Sequence, residues 1–378
     1  MNSTKNYYPY LDGLRAISAL YVVLTHMVAE FGFHDLYNRY STVKKYSILF
    51  FSNGILAVDF FIVVSGFCLT IPMINSNSFT MRGGALAFYL KRLKRIYLPY
   101  VCAIIFSVIL IITVVGNKTG THWDLSIPVT KDDLIKHLLL IQDIFYSSCY
   151  KINHAFWSIS IECRIYLFFP LMLWIWRKYG PIITLFSAIL ISLILFIVTW
   201  ELNKYNNDIS LGLEGVNPYL ILFVLGMIGC EISFGNRSKF ILLRNKLPWG
   251  ALILFFGILI LVIQRLLLHS HWHAIELIDI LMGCCSICIL VAVSIKQFYL
   301  DKIFSFRPLA FVGSFAYSIY LIHAPLLQFI WQVINPYHLD EYISFCLMAS
   351  LGMLFVLAIS YLFYIAFERP FMNHKKPI

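Results

Sequence analysis

An almost unbroken apolar run, ILAVDFFIVVSGFCLTI, occupies residues 55–71, and the carboxyl group of Asp59 is its only charge. A helix crosses the hydrocarbon core of a bilayer with about 20 predominantly apolar residues. A charged side chain within such a helix is costly unless it faces the interior of the protein. The run therefore predicts a membrane-spanning helix that keeps Asp59 away from lipid.

Similar apolar runs recur along the whole chain of 378 residues. Hydrophobic residues make up 60% of the chain and charged residues 13%, which is too apolar for a domain whose surface faces water. We expect an all-α, polytopic integral membrane protein of about ten transmembrane helices, forming a single domain over residues 1–378. The predicted spans are centred near Leu20, Phe61, Ile105, Phe168, Leu190, Leu225, Leu259, Ile287, Leu321 and Leu357.

The net charge of +10 first suggests a nucleic acid partner. The basic residues, however, lie in short loops between the apolar runs, and most of them fall on one side when successive loops alternate across the membrane. Cytoplasmic loops of membrane proteins carry such an excess of Lys and Arg. We therefore expect membrane lipids and not nucleic acid as partners, and both termini on the cytoplasmic side.

Two segments between the spans carry further signals. Thr130 and Asp133 form a capping box, and the apolar residues that follow at helical spacing predict an amphipathic helix near residues 131–146 on the outer surface. His269, His271 and His273 alternate in an outer loop, where they make either a metal site in an extended segment or an ordinary polar loop. We predict no metal site.

Several ionisable side chains interrupt the predicted spans, and such residues are functional candidates because they are expensive in lipid. They are Arg15, His26, Asp59, Glu162, Arg164, Asp279 and His323. With the orientation above, all of them except the two arginines fall about 8–12 Å below the outer surface, at a rise of about 1.5 Å per residue. This common depth predicts one polar chamber that opens outward.

Arg15 and His26 belong to the first span and lie on one face of its helix, because eleven positions at about 100° each nearly complete three turns. They are separated by about 16 Å along the axis. An arginine near the cytoplasmic side suits an anionic donor, and a histidine near the outer side suits a general base. The alternative is that Arg15 reaches cytoplasmic headgroups while His26 bonds a neighbouring helix.

The basic segment KRLKR at residues 91–95 opens the third span. Arg92 and Arg95 lie on one side of a helical turn, where they are either a clamp for the phosphates of a nucleotide or a topology anchor. Ser65 precedes Gly66 in the second span, where glycine permits a close approach of two helices. Trp157 and Tyr320 either stack on sugar rings or anchor the protein at the membrane interface.

Five segments together resemble the membrane acyltransferase-3 family, which includes O-acetyltransferases of bacterial surface polysaccharides. They extend over most of the chain, in the same order as in the family. The segments are YLDGLR at 10–15 followed by His26, VDFFIVVSGF at 58–67, the basic segment from Lys91 to Pro99, WSISIE at 157–162 and YSIYLIH at 317–323.

The resemblance implies transfer of an acyl group, usually acetyl from acetyl-CoA, across the bacterial inner membrane to a hydroxyl of an extracytoplasmic or lipid-linked carbohydrate such as O-antigen. His26 is then the catalytic histidine, Arg15 its essential partner, and Arg92 and Arg95 bind the donor. Acetyl-CoA is expected as a substrate, without a permanently bound cofactor. The residues expected to bind the acceptor or orient His26 are Asp59, Ser65, Trp157, Glu162, Asp279, Tyr320 and His323.

Two other functions fit part of the same pattern. A carrier, flippase or polymerase for lipid-linked glycans would also place polar residues within a helical bundle, and a family member could transfer succinyl or another acyl group. Some family members add a periplasmic SGNH-type domain. Here we expect direct transfer within the membrane domain, with an acetyl-histidine intermediate left open.

Overall fold

A computed structural model describes residues 7–31, 50–76, 79–81, 83–209, 218–267 and 275–372. These residues form an all-α bundle, and no β-strand occurs among them. The helices are α1 (Pro9–Glu30), α2 (Gly54–Asn75), α3 (Gly84–Leu110), α4 (Lys131–Leu138), α5 (Tyr146–Cys149), α6 (Trp157–Tyr179), α7 (Pro181–Asn203), α8 (Tyr219–Phe234), α9 (Ser238–Lys246), α10 (Trp249–Leu267), α11 (Ile275–Ser294), α12 (Leu300–Phe304), α13 (Arg307–Ser314), α14 (Ala316–Ile334), α15 (Glu341–Leu347) and α16 (Met353–Phe363).

Nine helical segments in the described part of the chain are long and apolar enough to cross a membrane, and a bent pair raises the number to ten. The bent pair is α8 and α9, whose axes meet at 85°. Helix α8 alone has 16 residues, or about 24 Å at 1.5 Å per residue, which is less than a bilayer core of about 30 Å. The prediction of a polytopic protein with about ten spans is confirmed.

Helices α2 and α8 touch through their backbones. A Cβ atom added to Gly66 would lie 2.0 Å from the carbonyl oxygen of Phe223, and one added to Gly226 would lie 2.0 Å from that of Val63. Small residues permit this approach within a membrane, where van der Waals packing drives helix association. The close approach expected at Gly66 is thus present, and it fixes the neighbouring Ser65 against the bundle.

A second close approach fixes the start of α1. A Cβ atom on Gly13 would lie 1.8 Å from the carbonyl oxygen of Phe304, and one on Gly313 would lie 1.8 Å from that of Asp12. Helix α1 therefore packs directly against the segment formed by α12 and α13. This contact sets the position of Arg15, which follows one half-turn after Gly13.

The predicted amphipathic helix is shorter than expected. It begins with the predicted capping box between Thr130 and Asp133, but α4 ends at Leu138 and does not reach residue 146. Leu140 adopts a φ of 56°, a left-handed conformation that an α-helix cannot continue. The chain proceeds through a 3₁₀ turn at Gln142–Ile144 and then α5. Its position on the outer membrane surface stays a prediction.

The segment between α3 and α6 folds onto the bundle through polar contacts. Arg164 of α6 pairs with the buried Asp143, with one of the two hydrogen bonds at 2.7 Å. Asn153 donates from Nδ2 to the carbonyl oxygen of Leu321 in α14 at 3.0 Å. These contacts place the end of the segment, including His154, beside α1 and α14.

Candidate functional site

A cavity of about 130 Å³ lies among α1, α2, α3, α6 and α14. Its wall includes three arginines from two helices, Arg15, Arg92 and Arg95, together with the carboxylate of Glu162. The three guanidinium groups predicted from sequence to act on one anionic ligand are therefore brought together. Their combined charge suits an anion that carries phosphate groups.

Two different contacts hold these arginines. Arg15 extends from α1 and lies 3.4 Å from the carboxylate of Asp12, one turn earlier. The guanidinium of Arg92 lies over the rings of Phe88 and Tyr166, at 5.6 and 5.4 Å from their centroids. Cation–π contacts of this kind hold the planar group without occupying its N–H donors. The donors of Arg92 stay available to a ligand.

Glu162 accepts hydrogen bonds within this cavity. Ser65 donates to Glu162 Oε1 at 3.0 Å, and the hydroxyl of Tyr166 donates to the same oxygen. Glu162 therefore belongs with the arginines and not with His26. The expectation of one chamber that contains all five ionisable residues of similar depth is wrong, because equal depth does not fix the direction in which each helix presents its side chain.

Asp59 and Asp279 form a separate group. Their side chains lie against each other on α2 and α11, and both are buried. Neither residue lines the arginine cavity. Their assignment to acceptor binding stays a prediction.

Four imidazole rings meet beside the C-terminal end of α1, and we call them the histidine cluster: His26, His122, His154 and His323. The ring centroid of His26 lies 4.6 Å from that of His154, 5.0 Å from that of His323 and 6.0 Å from that of His122. Two of these residues, His26 and His323, were singled out from the sequence. His122 and His154 were missed because they lie in the segment between two spans.

His26 and His154 are within hydrogen-bond distance, with Nδ1 of His26 at 2.9 Å from Nε2 of His154. His154 also contacts Ser126 Oγ through its Nδ1, at 3.1 Å. Burial lowers the pKa of His154 well below its ordinary value, and the neighbouring histidines lower it further. Burial also lowers the pKa of His122. Both rings are therefore neutral near pH 7.

The protonated nitrogen of neutral His323 is fixed by its contacts. Its Nδ1 lies 2.8 Å from the carbonyl oxygen of Tyr320 and 3.1 Å from that of Ile319. A carbonyl oxygen only accepts, so Nδ1 carries the proton and Nε2 presents a lone pair. In the described residues, no donor contacts this Nε2. His323 is thus a buried acceptor beside His26.

Three of the histidines, His26, His122 and His154, present nitrogen atoms that all lie within 4.8 Å of one another. Such a group could hold a divalent metal. Two ligands of one tetrahedral zinc ion would stand about 3.3 Å apart, given Zn–N bonds of about 2.0 Å. The 2.9 Å contact between His26 and His154 is instead the length of a hydrogen bond. The geometry favours a hydrogen-bonded imidazole pair.

Tyr320 connects the arginine cavity with the histidine cluster. Its hydroxyl lies 2.5 Å from Ser158 Oγ, and both residues line the cavity. Its ring centroid lies 5.8 Å from that of His323. The side chain of Tyr320 thus touches both sites, and α1 and α14 each contribute residues to both of them.

The other predicted residues lie elsewhere. Trp157 is the first residue of α6, and its ring packs 6.1 Å from that of Tyr219 and does not line the cavity. His269, His271 and His273 lie outside the described residues.

Comparison with known proteins identifies relatives of the whole membrane region. A family model described as an acyltransferase domain matches residues 8–365. The O-acetyltransferase OatA of Staphylococcus aureus strain NCTC 8325 is 26% identical over 356 residues, which cover 88% of this chain and 52% of that protein. A protein of S. aureus strain COL, named a candidate O-acetyltransferase, is 26% identical over 367 residues, which cover 90% of this chain and 54% of that protein. The chain spans about half the length of these relatives, and no solved structure is significantly similar to it.

Proposed function

This chain belongs to the acyltransferase-3 family, and on that premise we propose that it transfers an acetyl group from cytoplasmic acetyl-CoA to a hydroxyl of a carbohydrate on the far side of the membrane. The observation that carries the proposal is that Tyr320 lines the arginine cavity and also lies against His323 of the histidine cluster. A donor bound in the arginine cavity would pass Tyr320 to reach His26, which lies beside His323.

The arginine cavity is the proposed donor site. Arg15, Arg92 and Arg95 supply three positive charges to the phosphates of CoA. The volume of about 130 Å³ is smaller than the whole donor, so the cavity accommodates its phosphates or part of the pantetheine arm. The acyl end of the arm then points past Tyr320 toward the cluster.

His26 is the proposed general base. It is half-buried, whereas His154 and His323 are buried, so His26 has an open side on which an acceptor hydroxyl can approach. The acceptor oxygen attacks the thioester carbonyl carbon while its proton passes to His26. The carbon–sulfur bond breaks, and the CoA thiolate takes the proton back from His26. The products are an ester and free CoA, and the enzyme is unchanged.

The proposed acceptor is an extracytoplasmic or lipid-linked carbohydrate, such as O-antigen, and the proposed location is the bacterial inner membrane. This proposal is supported by the similarity of the chain to OatA, which is named an O-acetyltransferase, and by the set of apolar helices long enough to span a membrane. Transfer of succinyl or another acyl group would use the same donor charges. The mass lost from the polysaccharide when the protein is absent therefore identifies the acyl group.

The test compares cells that express the wild-type chain with cells that express His26→Ala or no protein. Mass spectrometry of their surface polysaccharide should show a loss equal to one acetyl group per modified sugar in both deficient strains. Membrane insertion of the His26→Ala protein is checked by its abundance in the membrane fraction.

Three results would decide against this function. If the His26→Ala protein is inserted in the membrane and the polysaccharide still carries its ester, His26 is not the general base. If the mass lost from the polysaccharide equals that of another acyl group, the transferred group is that one and not acetyl. A change in the length or amount of the polysaccharide, with its esters intact, supports a carrier, flippase or polymerase.

A further inference from the structure

His154 joins His26 to Ser126 through both of its ring nitrogens. Its Nε2 lies 2.9 Å from His26 Nδ1, and its Nδ1 lies 3.1 Å from Ser126 Oγ. Its backbone N–H also donates to Ser126 Oγ, at 3.1 Å. The residue is 2% exposed, so bulk water does not compete for these contacts. The orientation of the His154 ring is therefore set by its two partners.

The contact between His26 and His154 holds one proton, because a hydrogen bond between two neutral imidazoles needs one donor and one acceptor. If His154 donates, the proton of His26 lies on its Nε2, which then has no lone pair for a base. If His26 donates from Nδ1, its Nε2 is unprotonated. The direction of this one hydrogen bond decides whether His26 acts as a base.

We propose that His154 is a positioning residue, which accepts the Nδ1–H of His26 and donates its own Nδ1–H to Ser126, so that Nε2 of His26 is held unprotonated. The inference rests on the proposed role of His26 as the base. When Nε2 takes the proton of the acceptor hydroxyl, the hydrogen bond from Nδ1 to His154 strengthens and stabilises the imidazolium. The same proton then leaves with the CoA thiolate.

The surroundings of His154 keep it an acceptor and not a second base. The ionisable groups that face it are His26 from α1, His122 from the segment before α4 and His323 from α14, and none of these described groups is acidic. A positive charge on His154 would therefore gain no counter-charge. His154 thus resembles the orienting member of a catalytic triad in its role, with a neutral imidazole in place of a carboxylate.

Two substitutions of His154 separate orientation from packing. Gln offers a carbonyl oxygen that can accept from His26 Nδ1, whereas Phe fills a similar volume without an acceptor. The assay uses membrane vesicles from the expressing cells with radiolabelled acetyl-CoA, and counts label in the glycan fraction. We expect His154→Phe to lower kcat by about 100-fold or more, the scale of a general base, with KM for acetyl-CoA within about twofold of the wild-type value. His154→Gln should keep at least about ten times the rate of His154→Phe.

His137→Gln is the matched control. His137 is a fully buried histidine of the same segment, whose Nδ1 lies 2.8 Å from the carbonyl oxygen of Asp133, and it lies outside the cluster. Its substitution should leave the rate of transfer unchanged once the amount of inserted protein is matched.

A wild-type rate in His154→Phe, with His26→Ala inactive, overturns the positioning role alone. Activity in His26→Ala overturns the proposed function itself. Nitrogen NMR of histidine-labelled protein gives a readout independent of turnover: His26 protonated on Nδ1 supports the proposal, and His26 protonated on Nε2 overturns it. One equivalent of zinc in the purified protein, lost in His122→Ala, would also overturn it and assign the cluster to a metal.

Discussion

The hydroxyl groups of Ser158 and Tyr320 lie 2.5 Å apart in the wall of the arginine cavity, and the ring of Tyr320 also lies 5.8 Å from that of His323 in the histidine cluster. Ser158 comes from the first turn of α6 and Tyr320 from α14, so the bond ties two helices together. Both side chains line the cavity, and the ring of Phe61 lies 6.2 Å from that of Tyr320. In the proposed function, the donor passes Tyr320 on its way to His26.

Tyr320→Phe removes this hydrogen bond and leaves the ring in place. We expect the free energy of unfolding to fall by about 1 kcal/mol, the usual net value of such a bond. The double variant with Ser158→Ala should lose less than the sum of the two single variants, since both remove the same interaction. Thermal melting of the purified protein in detergent measures the cycle, and strictly additive losses would contradict a shared bond.

Gly66→Ala should separate α2 from α8. The new Cβ would start 2.0 Å from the carbonyl oxygen of Phe223, and backbone cannot move aside as a side chain does. We expect a loss of about 3 kcal/mol or more, at the upper end of overpacking. The yield and melting temperature of the purified protein test this. Gly257→Ala is the control, because no atom lies within 4 Å of its Cβ position, and an equal loss there would show that the close approach is not the cause.

Arg92→Lys should weaken donor binding although it keeps the charge. A lysine loses the planar contact with Phe88 and Tyr166 and cannot pair with a phosphate through two N–H groups. We expect KM for acetyl-CoA to rise about tenfold, or about 1.4 kcal/mol, with kcat little changed. Arg237→Lys is the control, because Arg237 stacks on Phe79 and pairs with Glu231 away from the cavity. An equal rise in both variants would rule out a specific donor contact at Arg92.

The substitutions Glu162→Gln and Glu162→Ala should differ in their effects on donor binding and on stability. Gln keeps an oxygen that accepts from Ser65 and Tyr166 but removes a negative charge near the arginines, so binding of acetyl-CoA should be unchanged or tighter. Ala leaves both hydroxyl groups without this acceptor, and the free energy of unfolding should fall by about 1–3 kcal/mol. Binding by titration calorimetry and melting temperature separate the two effects. Weaker donor binding in Glu162→Gln would mean that the carboxylate itself contacts the donor.

Acid should destabilise the histidine cluster. Burial and the neighbouring rings lower the pKa of His154, whereas an unfolded histidine has a pKa of about 6.5. Below that value the unfolded chain takes up a proton that the folded chain does not, so stability falls as the pH falls toward the lowered pKa. The melting temperature should be lower at about pH 5 than at about pH 7, and His154→Gln should reduce this difference. An unchanged difference in His154→Gln would contradict the assignment.

The sequence predicted the spans because each is a long apolar run whose length is set by the bilayer. The three arginines expected to act on one ligand, Arg15, Arg92 and Arg95, do line one cavity, while their role in donor binding stays a prediction. The bend between α8 and α9 was missed because hydropathy alone does not show a turn at residues 235–237.

The cluster was only half predicted. His26 and His323 stand out because an ionisable group is rare within an apolar span. His122 and His154 lie between spans, where a histidine is ordinary, and only the contacts of that segment with α1 and α14 show their role. The closest available signal was that His154 lies three residues before Trp157, at the start of a span already singled out.

Helix α1 carries Arg15 at one site and His26 at the other, about 16 Å apart along one continuous helix. In the proposed function, the distance from the donor-binding arginine to the general base is therefore set by the spacing of two residues in one helix. In the proposed function, this fixed spacing would select a donor by the length between its phosphates and its acyl carbon. A residue inserted between the two would turn His26 by about 100° away from His154, so the cluster would lose this hydrogen bond while Arg15 kept its place in the arginine cavity.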